Sequence, residues 1–146
     1  MKLLQKLILL ISIANLISCT SCDENETNYF SSCDFECIVD PDIYENSESS
    51  NVTISNLEII DNCLTINYSS SGCDGSTWEV RLIANDEVLE SNPPQRNLKF
   101  ELTNQEACLA VISKSSSFDI LNLQVEGSTS VYLNLDGYDN SILYEY

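Results

Sequence analysis

Leu64-Thr65-Ile66-Asn67-Tyr68 alternates apolar and polar side chains without a fault. That period of two is the signature of an extended strand with one buried face. Upstream, Val52 and Ile54 and then Leu57 and Ile59 keep the same period, with a break of phase near Ser55-Asn56. Downstream, the cluster from Ser69 to Gly75 holds Gly72, Cys73 and Gly75 and reads as a turn. Trp78, Val80 and Leu82 then alternate with Glu79 and Arg81. Asn85-Asp86-Glu87 turns into Val88-Leu89, and Asn92-Pro93-Pro94-Gln95-Arg96 is a rigid loop, because neither proline can donate to a ladder. Leu98, Phe100 and Leu102 alternate again, against Lys99 and Glu101. Cys108 to Ile112 and Phe118 to Val125 read as two more strands, with Ser115-Ser116-Ser117 as the turn between them and a bulge at Ile120-Leu121. Val131, Leu133 and Leu135, the hairpin signal Asp136-Gly137, and Ile142, Tyr144 and Tyr146 close the chain. No stretch after residue 19 sustains a helical stripe. Residues 52–146 are therefore expected to form an all-β domain of seven to nine short strands, an antiparallel β-sandwich.

The segments before it have other tasks. Lys2 and Lys6 make a basic start, and Leu7 to Leu16 is apolar apart from Ser12 and Asn15. That run is shorter than the roughly 20 residues a bilayer span requires. Leu16-Ile17-Ser18-Cys19 follows, and it resembles the lipobox of bacterial lipoproteins. The resemblance implies that residues 1–18 are a signal peptide and that Cys19 carries the lipid as the first mature residue. It also implies an outer-membrane, lipid-anchored protein of the cell envelope. Residues 19–51 form an acidic, Cys-containing leader, where Pro41 and the Ser/Asn-rich Asn46–Asn51 argue against regular structure. Its opening, Asp23-Glu24-Asn25-Glu26, resembles the export signal of surface lipoproteins in Bacteroidota, which implies the cell surface rather than the periplasmic face. Ser71 to Trp78, Asn92 to Arg96, Ser117 to Ile120 and the terminal Ile142 to Tyr146 also resemble small Bacteroidota lipoproteins of unknown function. That resemblance implies a compartment and no mechanism.

The chain has seven cysteines and no histidine. With Cys19 lipidated, Cys22, Cys33, Cys37, Cys63, Cys73 and Cys108 remain, and an even number in an exported small domain reads as a disulfide framework. Three precede residue 50 and three follow it. If all pair, an odd number of bridges joins leader to domain. The favoured pattern is one bridge within Cys63, Cys73 and Cys108, with the third of them tied to the leader. Cys63, Trp78 and Cys108 also stand in the order of the core Cys, Trp and Cys of an immunoglobulin-like sandwich. Their spacing is short for that family, and Glu106 stands where its tyrosine corner would be.

After loss of Lys2 and Lys6, four cations (Arg81, Arg96, Lys99, Lys114) face 23 Asp and Glu, a net charge of −19. Such a surface repels phosphate backbones, so nucleic acid is excluded as a partner. Without histidine the usual general base and the commonest metal ligand are missing. Neither a Gly-x-Ser-x-Gly elbow nor a phosphate-binding Gly loop is present. The carboxylate pairs Asp34/Glu36, Asp40/Asp42, Asp86/Glu87 and Asp136/Asp139 fall on turns or in the leader, far from the arrangement a glycosidase needs. The expectation is a protein without catalytic residues or a resident cofactor, a binding or structural module whose partner is the membrane through its anchor and an envelope protein or glycan. A small carbohydrate- or Ca²⁺-binding domain is the alternative. Trp78 and Arg96 are the candidate binding residues, and Asp136 and Asp139 the candidate Ca²⁺ ligands.

Overall fold

The computed structural model describes residues 31–146. The signal segment, Cys19 and Cys22 lie outside them. Among the described residues nine strands form two sheets. The four-stranded sheet has the order β1-β7-β4-β3, with β1 Phe35–Glu36, β3 Thr53–Ile60, β4 Cys63–Gly72 and β7 Ala110–Asp119. The five-stranded sheet has the order β2-β5-β6-β8-β9, with β2 Ile38–Val39, β5 Glu79–Ala84, β6 Gln95–Thr103, β8 Ser130–Leu135 and β9 Ile142–Glu145. A six-residue helix α1, Pro41–Asn46, follows β2, and a 3₁₀ turn covers Leu121–Leu123.

The sandwich-like, nearly all-β arrangement is the one the alternation predicts, but its sheets are mixed rather than purely antiparallel. β1 runs parallel to β7, β2 to β5, and β6 to β8. The first two parallel pairs come from the leader. Its residues supply one short strand to each sheet and then α1, where irregular chain is expected from composition. The local chemistry of α1 is orthodox. Asp40 is the N-cap, its Oδ1 accepting from Ile43 N at 2.9 Å, and Pro41 opens the helix where a missing N–H costs nothing.

Between the sheets lies one core. Leu64, Ile66, Tyr68 and Phe118 face Leu82, Leu98, Phe100, Leu102, Val131 and Leu133, all buried. Phe100 sits against both Tyr68 (ring centroids 4.8 Å apart) and Phe118 (6.0 Å). The phase break at Ser55-Asn56 is a bulge of β3 against β4. Two serine-rich stretches read as turns are strand instead. Ser69–Gly72 extends β4, and Ser115–Ser117 lies inside β7, paired with Asn67, Ile66 and Thr65. A neighbouring strand that satisfies the backbone outweighs the low strand preference of serine. The converse error is Leu121–Leu123, expected as strand and found as a 3₁₀ turn.

Two disulfides join these parts, Cys33–Cys63 and Cys73–Cys108. One bridge lies within the domain and the third domain cysteine is tied to the leader, as favoured. No Cys63–Cys108 bridge of the immunoglobulin kind exists. Cys37, a candidate for pairing, is free and buried, 3% exposed. Burial pushes its thiol up to about 12, with Arg96 opposing and Asp119 adding to the rise.

Candidate functional site

β8 pairs with β6 only from Gln95 to Leu98. Beyond that point the chain of β8 leaves through Asp136-Gly137, and β6 continues without it. The leader takes its place. Ser50 N donates to Leu102 O at 2.9 Å, and Ser49 Oγ accepts from Leu102 N at 3.0 Å. Ser50 Oγ accepts from Asn104 N at 3.3 Å. Where one neighbour ends and the other begins, a cleft of about 360 Å³ opens. Ser47, Ser49, Ser50 and Asn51 form one wall and Asp136-Gly137 another. Val52, Ile54 and Phe100 line it as well, with Lys99 and Glu101 from β6.

Glu101 is the unusual member. Its side chain is only 10% exposed. Oε1 accepts from Arg81 Nη2 at 2.7 Å across the β5–β6 pair, while Oε2 is buried and has no hydrogen-bond partner among the described residues. A buried carboxylate oxygen without a donor costs free energy unless water or a ligand supplies one. Lys99 donates from Nζ to Tyr44 O at 2.7 Å and lies 4.5 Å from the centre of the Tyr44 ring, so α1 holds its ammonium beside the cleft. Burial, then the charges of Asp136 and Glu45, raise the Tyr44 phenol above its ordinary value. The cleft therefore offers a bound ammonium, serine hydroxyls, two carboxylates and an apolar floor. Such a set suits a ligand rich in hydroxyl groups.

The residues singled out by sequence are placed elsewhere, with one exception. Asp136 lines the cleft, but Asp139 does not. No group of three or more Asp, Glu, Cys or His suited to a metal occurs among the described residues. Arg96 is a brace: Nε donates to Leu123 O at 3.1 Å, and Nη1 to Asn85 O and Asp86 O at 3.4 and 3.3 Å. Three main-chain carbonyls from two loops thus occupy the guanidinium proposed for recognition. Trp78 precedes β5, half-buried against the core, 6.2 Å from Tyr68 between ring centres. The Lys114 ammonium lies 5.6 Å from its ring and donates to Gly75 O. Asp34, read as a solvated leader charge, accepts from Ser117 N at 2.9 Å and Ser117 Oγ at 2.7 Å.

Around Trp78 the chain wraps a carboxylate. Glu106 Oε2 accepts the backbone N–H of Cys73, Asp74 and Gly75, and Oε1 the Thr77 hydroxyl at 3.0 Å. Gly75 takes φ +68° in this turn, and a Cβ on it would press on Lys114 and Trp78. Desolvation pushes the Glu106 carboxyl upward, but the hydrogen bonds from Gly75, Cys73, Thr77 and Asp74 together outweigh it and bring the value to about 2. The Cys73–Cys108 bridge closes the same turn. Sequence reasoning missed both Glu101 and Glu106. Glu101 alternates like any solvent-facing charge, and only the leader folded over it makes it buried. A signal for Glu106 exists in its position two residues before Cys108, the partner of the glycine-rich turn.

No family model matches the chain, and no curated protein sequence matches it. Solved structures do. A protein of unknown function, DUF1344, from Bacteroides vulgatus superposes with a TM-score of 0.52 at 15% identity, over 77% of this chain and 56% of that one. A putative toxin-related protein from Parabacteroides distasonis superposes with a TM-score of 0.51 at 17% identity, over 77% of this chain and 60% of that one. The chain thus spans somewhat over half the length of either. At these identities what it shares with both is the fold.

Proposed function

We propose that this chain is a lipid-anchored protein of the bacterial cell envelope, held by Cys19, whose folded unit is a non-catalytic binding module for a polyhydroxylated, glycan-class ligand. The observation that carries the ligand class is Glu101: a carboxylate nine-tenths buried in the lining of an open cleft, with one oxygen lacking a donor. Oε2 has no exposed surface, so a sugar hydroxyl donates to it by parting the lining around it, and the serine hydroxyls and Lys99 supply partners for the neighbouring hydroxyls. Anchoring and an outer-face location rest on the Leu16–Cys19 motif and the acidic residues after it.

Calorimetry of the full chain with soluble peptidoglycan fragments and a panel of surface polysaccharides tests the ligand. Binding by one class, weakened about tenfold or more by Glu101→Gln, is expected for a lost charged hydrogen bond. Asp136→Asn, on an exposed turn, is a second variant that leaves the fold intact. A glycan bound equally well by both variants, or no glycan bound at all, would overturn the assignment. A melting temperature that rises in millimolar Ca²⁺ and stops rising in Asp136→Asn would replace the glycan by the cation. Protease shaving of intact and of lysed cells tests the location. Loss of the domain from intact cells places it outside, and loss only after lysis places it within the periplasm.

A further inference from the structure

β7 has a bare edge. Its one side pairs with β4 along its whole length, but on the other side β1 covers only Phe118 and Asp119. Which main-chain groups point to that open side follows from two contacts. Cys37 N donates to Asp119 O at 3.0 Å, and Ser117 N donates to Asp34 Oδ2 at 2.9 Å. Asp119 and Ser117 therefore turn their backbone groups away from β4. Because orientation alternates along a strand, Val111, Ser113 and Ser115 do the same. Their N–H and C=O groups have no partner on that side among the described residues. Three consecutive outward positions, bounded by Asp34 at one end, make an open ladder of six groups.

The edge is also unlike the other free edges. From Ala107 to Phe118 there is no Asp or Glu, in a chain that carries 23 of them. β3 shows Glu58, β5 shows Glu79, and β9 shows Glu145. The one charge on this part of β7, Lys114, is turned inward onto Gly75 and Trp78. Edges commonly carry charges that block pairing, and this one has none. Its apolar side chains are uncovered: Val111 is 76% exposed and Leu109 91%.

We infer that β7 is a self-association edge, where two copies of this chain pair antiparallel about a two-fold axis at Ser113. This register puts Ser113 opposite Ser113 and Val111 opposite Ser115. It is the symmetric register that engages all three open residues of each copy. Pairing through β3, β5 or β9 would set Glu58, Glu79 or Glu145 of one highly acidic chain near the next, whereas Val111–Ser115 carries no carboxylate. Leu109 of each copy, 91% exposed, is carried opposite Ser117 at the end of the partner's open edge.

The register is read by cross-linking the full chain in the cells that make it. Residues facing across a hydrogen-bonded antiparallel pair have Cα atoms about 5.5 Å apart, within disulfide range. Ser113→Cys is expected to convert most of the chain to a disulfide-linked dimer on a non-reducing gel. Ser115→Cys faces Val111 and is expected to remain monomeric, as are wild type and Ser55→Cys on the β3 edge. Adding Val111→Lys to Ser113→Cys places new charges on the edge and is expected to abolish the dimer. No dimer from Ser113→Cys, or equal dimer from Ser115→Cys or Ser55→Cys, would overturn the inference. All four positions carry exposed side chains, so failure to fold does not confuse the result.

Discussion

The outer faces of the two sheets are built from different chemistry. On the four-stranded sheet, Thr65, Asn67 and Ser69 of β4 stand beside Ser117, Ser115 and Ser113 of β7, hydroxyls and amides paired across the strands. On the five-stranded sheet, Arg81, Lys99 and Glu101 hold the corresponding outward positions, and the leader lies over them. The difference follows from one residue type. Ile83 falls out of phase with Leu82 and Ala84, facing away from the core, and it is fully buried. Uncovered, it would leave an apolar side chain in water on a sheet face, so β2 pairs beside it and α1 packs against its strand. Covering Ile83 also covers Glu101, which is then held by Arg81. The serine face has no apolar residue over Thr65–Ser69 to hide and needs no cover.

If the leader is an integral layer, cutting its staple is the severest test of this contrast. Cys33 and Cys63 close a loop of 30 residues, for which chain entropy gives about 3–4 kcal/mol. Replacing both by serine is expected to lower the unfolding free energy by that amount in urea titration. A loss below about 1 kcal/mol, under the roughly 2–4 kcal/mol such bridges typically contribute, would mean that the leader is only a tether.

Next in size is the ion pair beneath the leader. Arg81→Ala leaves the Glu101 carboxylate buried with neither oxygen paired. Fully buried pairs broken this way lose 3–5 kcal/mol, but Arg81 is 47% exposed, so water screens much of the effect and about 1–2 kcal/mol is expected. The double variant Arg81→Ala, Glu101→Gln should recover part of it, because the charge needing a partner is gone. Recovery would confirm that burial, not contact with the arginine as such, sets the cost.

The serine face ends at the turn that wraps Glu106, and there pH divides the two faces. The Glu106 carboxyl lies near 2 against an ordinary 4.5. Its hydrogen bonds therefore contribute fully above pH 4.5, and their contribution is lost as pH falls from there toward 2. Trp78 packs on the same turn, so its fluorescence should change over that window while the Tyr44–Lys99 contact on the other face does not. Glu106→Gln should remove the change. A transition unaltered by that substitution would place its origin in another carboxylate.

Much of this was legible in the residues. Alternation from Leu64 to Tyr68 and from Leu98 to Leu102 named core strands, and the break of phase read at Ser55-Asn56 falls on the β3 bulge, while the bulge expected at Ile120-Leu121 is a 3₁₀ turn. What alternation does not carry is the identity of a strand's neighbour. The parallel partners β1 and β2 are two residues long, too short for a period, and they exist only because β7 and β5 present open backbone there. The cleft is illegible for the same reason. It arises where Asp136 leaves β6 and Ser49 arrives, residues 87 apart in sequence that no local pattern links. The cysteine parity alone hinted at this, by tying one leader cysteine, not specified, to the domain; in the structure it is Cys33.

The smallest effect is expected on the bare face. Ser69→Thr and Ser115→Thr add a methyl to a half-buried and an exposed strand position of that face and keep the hydroxyl. Strand preference favours threonine over serine on a pleated surface, and the whole scale spans about 1 kcal/mol. Each change is therefore expected to be neutral or stabilising by up to about 0.5 kcal/mol. Thermal unfolding resolves the sign. A destabilisation would contradict an open face, because an added methyl is costly only where something already packs against it. Stabilisation at Ser69 together with destabilisation at Ser115 would separate the centre of the sheet from its edge. Ser115 borders the open side of β7, so a loss confined to it would place a second chain over that edge and leave the rest of the serine face in water.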